Sequence, residues 1–426
     1  MNLLKDIRDR FAVLLGITVD FLNFTLYGFF TYIFATVFFP DYDTAAHLMF
    51  VYGASLIDVI SRTAGALVFS WLGDRSGRTK SFKFGAALVL LPSCLIPLLP
   101  GYDVIGILAP VILLMARFLQ GFCWAELGGS MVYLYESQMN GKYCLSSLSS
   151  CAASLGVLLA TIIAYVATEH YTAVELQHIG WRMGFGIVSI LAILSFLMRW
   201  TINETEFFLK IKATHIMTSN PFKNIFLRYY KELLIGFGLI CFPATVAIFA
   251  FSYSYSYAKG IVGADIFEGL AYNSMLLLFR ILVVPPVGFL ADRIGGIRIL
   301  FFACVAGLFS YYFFLVAHSD PHKLLVFLGC ITILNSAVVP GIILKIVPHD
   351  VRFTMISIVY SIAFIVYGAM VPYVSILLGE IYNVVYIPAM CISISAIITG
   401  FAVTMVGLRE SNYFSYFPKQ LDNNNH

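Results

Sequence analysis

Six ionisable residues, Asp20, Asp58, Arg62, Arg117, Glu126 and Arg280, stand inside stretches that are otherwise apolar. A charge at bilayer depth costs several kcal/mol or more unless it is paired or wet, so each is a candidate for chemistry. Carboxylates can take up and release protons, and guanidinium groups can hold an anion or answer a proton's arrival. With helix 1 entering at about Arg10 and helix 4 leaving at about Glu136, Asp20 and Glu126 each lie ten residues in, about 15 Å deep at ~1.5 Å per residue. Two acids at one depth can exchange a proton with a cation or with each other. Asp20 also has a plainer reading, as a group that caps or pairs within the bundle.

Asn23, Phe24 and Tyr27 follow Asp20 at i+3, i+4 and i+7, which puts all four on one helix stripe. Asp58 and Arg62 are four apart, the spacing of a helix ion pair. They neutralise each other structurally, or Asp58 serves as a second proton site while Arg62 holds an anionic group. Arg280 has no carboxylate four residues away, which leaves it for substrate or for another helix. Asn273, Asn335, Tyr360 and Tyr367 are expected as interhelical hydrogen-bond partners. No His lies deep in a span, and there is neither a G-x-S-x-G turn nor a metal-ligand spacing. An enzyme, a metal or another cofactor is therefore not expected. The eight cysteines, mostly within spans and without CxxC spacing, read as packing residues.

The elements that must position these groups are transmembrane helices. Of 426 residues 60% are hydrophobic and 12% charged, and mean hydropathy is +0.88; soluble domains carry about a quarter charged residues. Twelve spans recur, at about 12 to 39, 48 to 72, 82 to 100, 105 to 136, 145 to 168, 181 to 201, 232 to 257, 267 to 290, 298 to 317, 324 to 347, 352 to 378 and 383 to 408. Each is long enough to cross a bilayer as a helix. Continuous apolar runs such as "FGIVSILAILSFLM" exclude the alternation of a strand barrel.

Loop charge orients this all-α bundle. Twenty of the 26 Lys and Arg residues, Arg199 among them, fall in even-numbered connections and the two tails. Both termini are therefore expected in the cytoplasm. The first apolar run is too long for a signal-peptide core and is expected to stay as helix 1. The net charge of +3 reflects these orientation signals, so no nucleic-acid partner is expected. The longest polar connection divides the chain into an N-terminal six-helix half, 1–201, a central loop, 202–231, a C-terminal half, 232–408, and a short tail, 409–426.

An internal repeat supports that division. Shifted by 218 residues, Arg62 falls on Arg280, Leu72 on Leu290, Asp74 on Asp292, Arg75 on Arg293 and Gly77 on Gly295. An offset of about half the length is what fusion of two six-helix units produces.

"GDRSGRTK", Gly73 to Lys80, resembles the loop signature of the major facilitator superfamily, and Asp292-Arg293-Ile294-Gly295 its degenerate second copy. "DFLNFTLYGFF", "ARFLQGFCWAELGGSMVYLYE", "SLGVLLA", "GWRMGF" and "NETEFF" resemble the metabolite:proton symporter branch, with its proline/betaine, shikimate, citrate and 2-oxoglutarate carriers. The resemblance implies a monomeric, alternating-access transporter in the bacterial inner membrane, moving a small polar metabolite with protons. An uncoupled facilitator, an exporter or a sensor built on a carrier scaffold remain as alternatives.

It also implies roles. Asp20, Glu126, Asp58 and Arg117 are candidates for proton coupling, and Asn23, Tyr27, Arg62, Gln120 and Arg280 for substrate binding. Gly73, Asp74, Arg75, Gly77, Arg78, Lys80, Asp292, Arg293 and Gly295 form the cytoplasmic gate, with Asp74 against a helix terminus of the other half. Asn23 replaces the second acid of the branch's helix 1 pattern, and an amide cannot carry the proton, which moves coupling toward Asp20 and Glu126. Arg75, Arg78 and Lys80 are expected at the membrane surface, within reach of lipid headgroups.

Overall fold

The chain's apolar runs become helices because in hydrocarbon each backbone N–H and C=O must be satisfied within its own segment. The computed structural model describes residues 2–39, 44–124, 126–137, 141–213, 221–250, 266–316, 321–382 and 387–413, and all regular structure among them is helical. In chain order the long helices are α1 (Asn2–Phe38), α2 (Thr44–Ser76), α3 (Arg78–Leu95), α4 (Leu108–Cys123, continued by Glu126–Glu136), α5 (Lys142–His170) and α6 (Trp181–Trp200). After the short helices Glu206–Ala213 and Pro221–Leu227 come α7 (Tyr230–Ile248), α8 (Ile266–Ile294), α9 (Gly296–Gly307 with Ser310–Val316), α10 (Pro321–Ile346), α11 (Arg352–Ala363, continued to Tyr382) and α12 (Ile387–Tyr413).

Ten spans among the described residues are long and apolar enough to cross a membrane, and the two parts of α9, bent by 45°, make an eleventh. The remaining expected span, 48 to 72, falls within the 33 residues of α2. Large side chains such as Leu197, 58% exposed, and Phe302, 69% exposed, clothe the outside. In a bilayer that surface meets lipid.

Within the first six helices α1 packs on α5 and α6, α2 on α4, and α3 on α4 and α6. Phe34 of α1 meets Trp181 at 5.2 Å and Phe185 at 5.5 Å between ring centroids, which fixes α6 beside α1. In the second set α7 packs on α12, and α10 on α8 and α9. Contacts between the sets run through α2 with α11, α5 with α8 and α10, and the end of α4 with α11.

Two local breaks matter for the site. At the α4 break the Trp124 N–H donates to Gly121 O at 3.0 Å, and the Leu127 N–H to Trp124 O at 3.1 Å. These three-residue turns, tighter than the α-helical bond, restart the helix at Glu126. At the ends of α2 and α8, Gly77 and Gly295 take φ of 114° and 93°. Only glycine reaches such angles without strain, so the two D-R-x-G stretches turn the chain sharply into α3 and α9.

Candidate functional site

Helix α6 carries no charged residue from Met183 to Met198 and ends in Arg199-Trp200. Arg199 is only 2% exposed. Its Nη1 lies 2.7 Å from Glu126 Oε1, and its Nη2 lies 3.9 Å from Asp20 Oδ2. One guanidinium from α6 is thus shared by carboxylates from α1 and α4. A Cβ at Gly16 would overlap this guanidinium, and a Cβ at Gly85 would overlap the Glu126 carboxylate. Two glycines therefore hollow out the space for the ions. Glu126 Oε2 and Arg199 Nε find no hydrogen-bond partner among the described residues. Glu126 is buried, whereas the Asp20 side chain keeps 16% exposure and borders a small cleft with Asn23, Phe24, Arg117, Gln120 and Trp124.

Arg199 corrects the sequence reading, which counted it among loop charges. The signal was available, because the expected span 181 to 201 already enclosed it. Its partners were not, since they come from elements far away in sequence.

A second network crosses the cleft. Arg117 Nη1 donates to Gln120 Oε1 at 2.8 Å, Gln120 Nε2 to Asn23 Oδ1 at 3.1 Å, and Asn23 Nδ2 to Ser93 Oγ at 2.8 Å. The chain joins α4, α1 and α3. The Arg117 guanidinium stacks on the Tyr27 ring, 3.8 Å from its centroid. The Arg62 guanidinium packs against two rings, 4.3 Å from the Phe24 centroid and 4.1 Å from that of Trp124, and the rings meet each other edge-on at 5.2 Å. The Asp58 side chain lies outside the described residues. In the second set Arg280 Nη2 donates to Ser336 Oγ at 2.6 Å, and the Ser150 hydroxyl of α5 donates to Ser336 O at 3.2 Å. Asn335 departs from expectation: it is buried, yet neither amide atom has a hydrogen-bond partner among the described residues.

The side of the bundle where α1 begins and α6 ends, here the terminal side, is closed by a third cluster. Asp74 accepts from the Phe353 N–H at 3.1 Å, and from the Thr354 N–H and hydroxyl at 2.7 Å each. Those amides belong to the first turn of α11, which otherwise lacks a side-chain cap. Arg78 Nη1 donates to Asp74 Oδ1 at 3.1 Å and to Gly73 O at 3.0 Å. Glu136 meets Arg78 at 3.5 Å and Arg352 at 2.8 Å. Arg78 is 1% exposed, which corrects its expected place at the membrane surface. Burial beside two carboxylates explains it. Arg75 and Lys80 are exposed, and Arg75 stacks on Trp71 of its own helix at 5.2 Å.

Asp292 repeats the cap, accepting from the Tyr143 N–H at 2.9 Å and the Cys144 N–H at 3.0 Å at the start of α5. Arg293 is exposed and stacks on Phe289 at 4.5 Å. Sequence reasoning missed the roles of Glu136 and Arg352 in this closure, and also that of Glu204, which accepts from the Thr79 N–H at 3.1 Å.

A buried three-ion cluster, a polar cleft and paired helix caps on one side suit a molecule that opens and closes, not a catalyst. Comparisons agree. A protein of Staphylococcus aureus (strain COL) whose name assigns it to proline/betaine transport is 27% identical over 371 residues, covering 85% of this chain and 79% of the relative. The citrate-proton symporter of Salmonella typhi is 27% identical over 378 residues, covering 86% of each chain. The solved proton:xylose symporter XylE superposes with a TM-score of 0.76 at 14% identity, covering 96% of both chains, which establishes the shared fold. The family model of the Major Facilitator Superfamily matches residues 13–372, and the chain belongs to that family.

Proposed function

We propose that the protein is a proton-coupled secondary transporter that imports a small polar metabolite by alternating access. Residues 1–201 and 232–408 rock as two halves about the central cleft, with the terminal side in the cytoplasm of a bacterium and the protein acting as a monomer in the inner membrane. The similarity to a citrate-proton symporter and to the alpha-ketoglutarate permease of Escherichia coli (strain K12), 27% identical over 394 residues, supports symport of a metabolite.

One observation carries the coupling: Arg199 is shared by Asp20 and Glu126. One guanidinium and two carboxylates leave a net negative charge in a buried place, which is costly. A single proton makes the cluster neutral. Asp20, the longer of the two contacts and the one open to the cleft, is the entry point for that proton. Glu126 holds Arg199 in place when Asp20 is neutral. The cluster's charge then follows the proton, and the equilibrium between the two openings follows the charge.

Liposomes holding the protein, with an alkaline interior, test this with labelled citrate, 2-oxoglutarate, proline and glycine betaine. Accumulation should follow the pH gradient. Asp20→Asn and Glu126→Gln should each abolish accumulation while sparing exchange. Wild-type accumulation by both variants would remove the cluster from coupling.

A further inference from the structure

We infer that a single water molecule bridges Asp20 to Arg199 in a small cavity between α1, α3 and α6, with Ser195 as its third partner, and that this water sets how readily Asp20 takes a proton. The inference deepens the coupling reading above and rests on it for the use made of that proton. Asp20 stands 3.9 Å from Arg199 Nη2, too far for a hydrogen bond, and its carboxylate accepts none among the described residues. On Arg199, 2% exposed, Nε and Nη2 likewise have no hydrogen-bond partner among the described residues. Those two nitrogens form one edge of the planar guanidinium, so their N–H groups point the same way. A carboxylate without a donor thus lies beside an arginine edge without an acceptor. Across a polar gap longer than about 3.5 Å, one water can serve both.

Asp20, Ser195 and Arg199 line one cavity, whose remaining wall is apolar and includes Ala86 and Ala192. About 10 Å³ of it is open to the centre of a water molecule, room for one water and no larger solute. Ala192, Ser195 and Arg199 share a stripe of α6 at i, i+3 and i+7. Ser189 on the same helix donates back to Phe185 O at 2.8 Å, a habit of helical serines. The Ser195 side chain, buried, makes no hydrogen bond among the described residues, which leaves its hydroxyl for the cavity. An occupant here must accept from Arg199 and donate to Asp20. A metal ion cannot accept, and an anion repels the carboxylate. Water does both, and Ser195 completes the three hydrogen bonds usual for a buried water. A donor on the charged carboxylate favours that form, so the water delays protonation of Asp20. Glu126 contacts Arg199 directly at 2.7 Å and does not line the cavity. The other ionisable groups around Asp20 are Arg117 and the Cys123 thiol of α4, Tyr27 on α1 itself, and Arg62 of α2, which packs on Phe24. Neither α3 beyond Lys83 nor α5 between Lys142 and Glu169 adds a charged one.

The test is infrared pH titration of the purified full-length protein, following the C=O band of the protonated carboxyl that Asp20→Asn removes. Its midpoint should move to higher pH by about 0.5–1 unit, the scale of one hydrogen bond to a carboxylate. That shift is expected in Ser195→Ala, which takes away a partner, and in Ala192→Val, which fills the space. Gly186→Ala, on the same helix where a Cβ meets open space, should leave the midpoint in place. A crystal or electron-microscopy map of the wild-type protein that resolves ordered water should show density within hydrogen-bond distance of Asp20, Ser195 and Arg199. A midpoint that stays, or moves to lower pH, in either variant overturns the water's hold on the proton. An empty map overturns the water itself, and decides the matter if a variant fails to fold. If Asp20→Asn removes no band at any pH, coupling through Asp20 is overturned and the map alone decides the water. Liposome accumulation that ignores the pH gradient while both midpoints shift as expected overturns coupling and leaves the water standing.

Discussion

Asp74 and Asp292 stand at equivalent ends of α2 and α8 and solve the same problem with unequal means. Each accepts from two consecutive amides in the first turn of a helix in the other set, Phe353 and Thr354 of α11 or Tyr143 and Cys144 of α5. Both sites use the second and third helical residues, whose N–H groups have no partner within their own helix. Around Asp74 a further carboxylate and two guanidinium groups, Glu136, Arg78 and Arg352, are buried together. Around Asp292 there is no such cluster among the described residues. The position equivalent to Arg78 is Gly296, where a Cβ would press on the Tyr143 ring. Duplication kept the backbone geometry of the cap, and charge was elaborated on one copy only. The α2–α11 closure is therefore the stronger, and the α5–α8 closure is close to a bare helix cap.

This asymmetry can be broken in order of expected effect, each time by measuring the distance distribution between spin labels at Lys80→Cys and Arg298→Cys, on opposite sides of the terminal-side gate. Asp74→Asn should act most. It removes the charge on which α11 and Arg78 converge, and breaking a buried charge pair costs about 3–5 kcal/mol, so the gate should populate its open state and transport should slow more than tenfold. If Asp292→Asn opened the gate as far, the asymmetry would be wrong. Glu136→Gln should come second, at about 1.5–3 kcal/mol for a lost charged hydrogen bond, because Arg78 keeps Asp74. Asp292→Asn should follow at about 1 kcal/mol, the usual worth of a helix cap. Last, Arg75→Ala and Arg293→Ala should each shift the gate by less than about 0.5 kcal/mol, as for exposed residues generally. A larger shift would bring these arginines, which stack on their own helices, back into the closure.

Much of the frame was legible from local pattern. Apolar runs of bilayer length marked the spans, and the D-R-x-G stretches marked both turns and the repeat between them. The break in α4 was not legible, because "CWAELGG" contains no proline and its helix simply tightens by one residue at Trp124. Nor was the burial of Arg78, whose neighbours Arg75 and Lys80 are exposed.

The sequence by itself determined that this chain crosses a membrane as helices, that it is built on a duplicated plan, and, apart from Arg199, which few ionisable residues lie at depth. Those properties depend on neighbours close in the chain and on the high cost of charge in hydrocarbon. Only the tertiary structure decided who faces whom. Arg199 serves Glu126 and Asp20 rather than the loop, Arg117 stacks on Tyr27 and donates to Gln120, and Arg62 packs against Phe24 and Trp124. The reason is geometric: a partner across the bundle is set by how far each helix is rotated and shifted against the next, and one residue of register turns a side chain by about 100° on a 3.6-residue helix. No window of sequence contains that information.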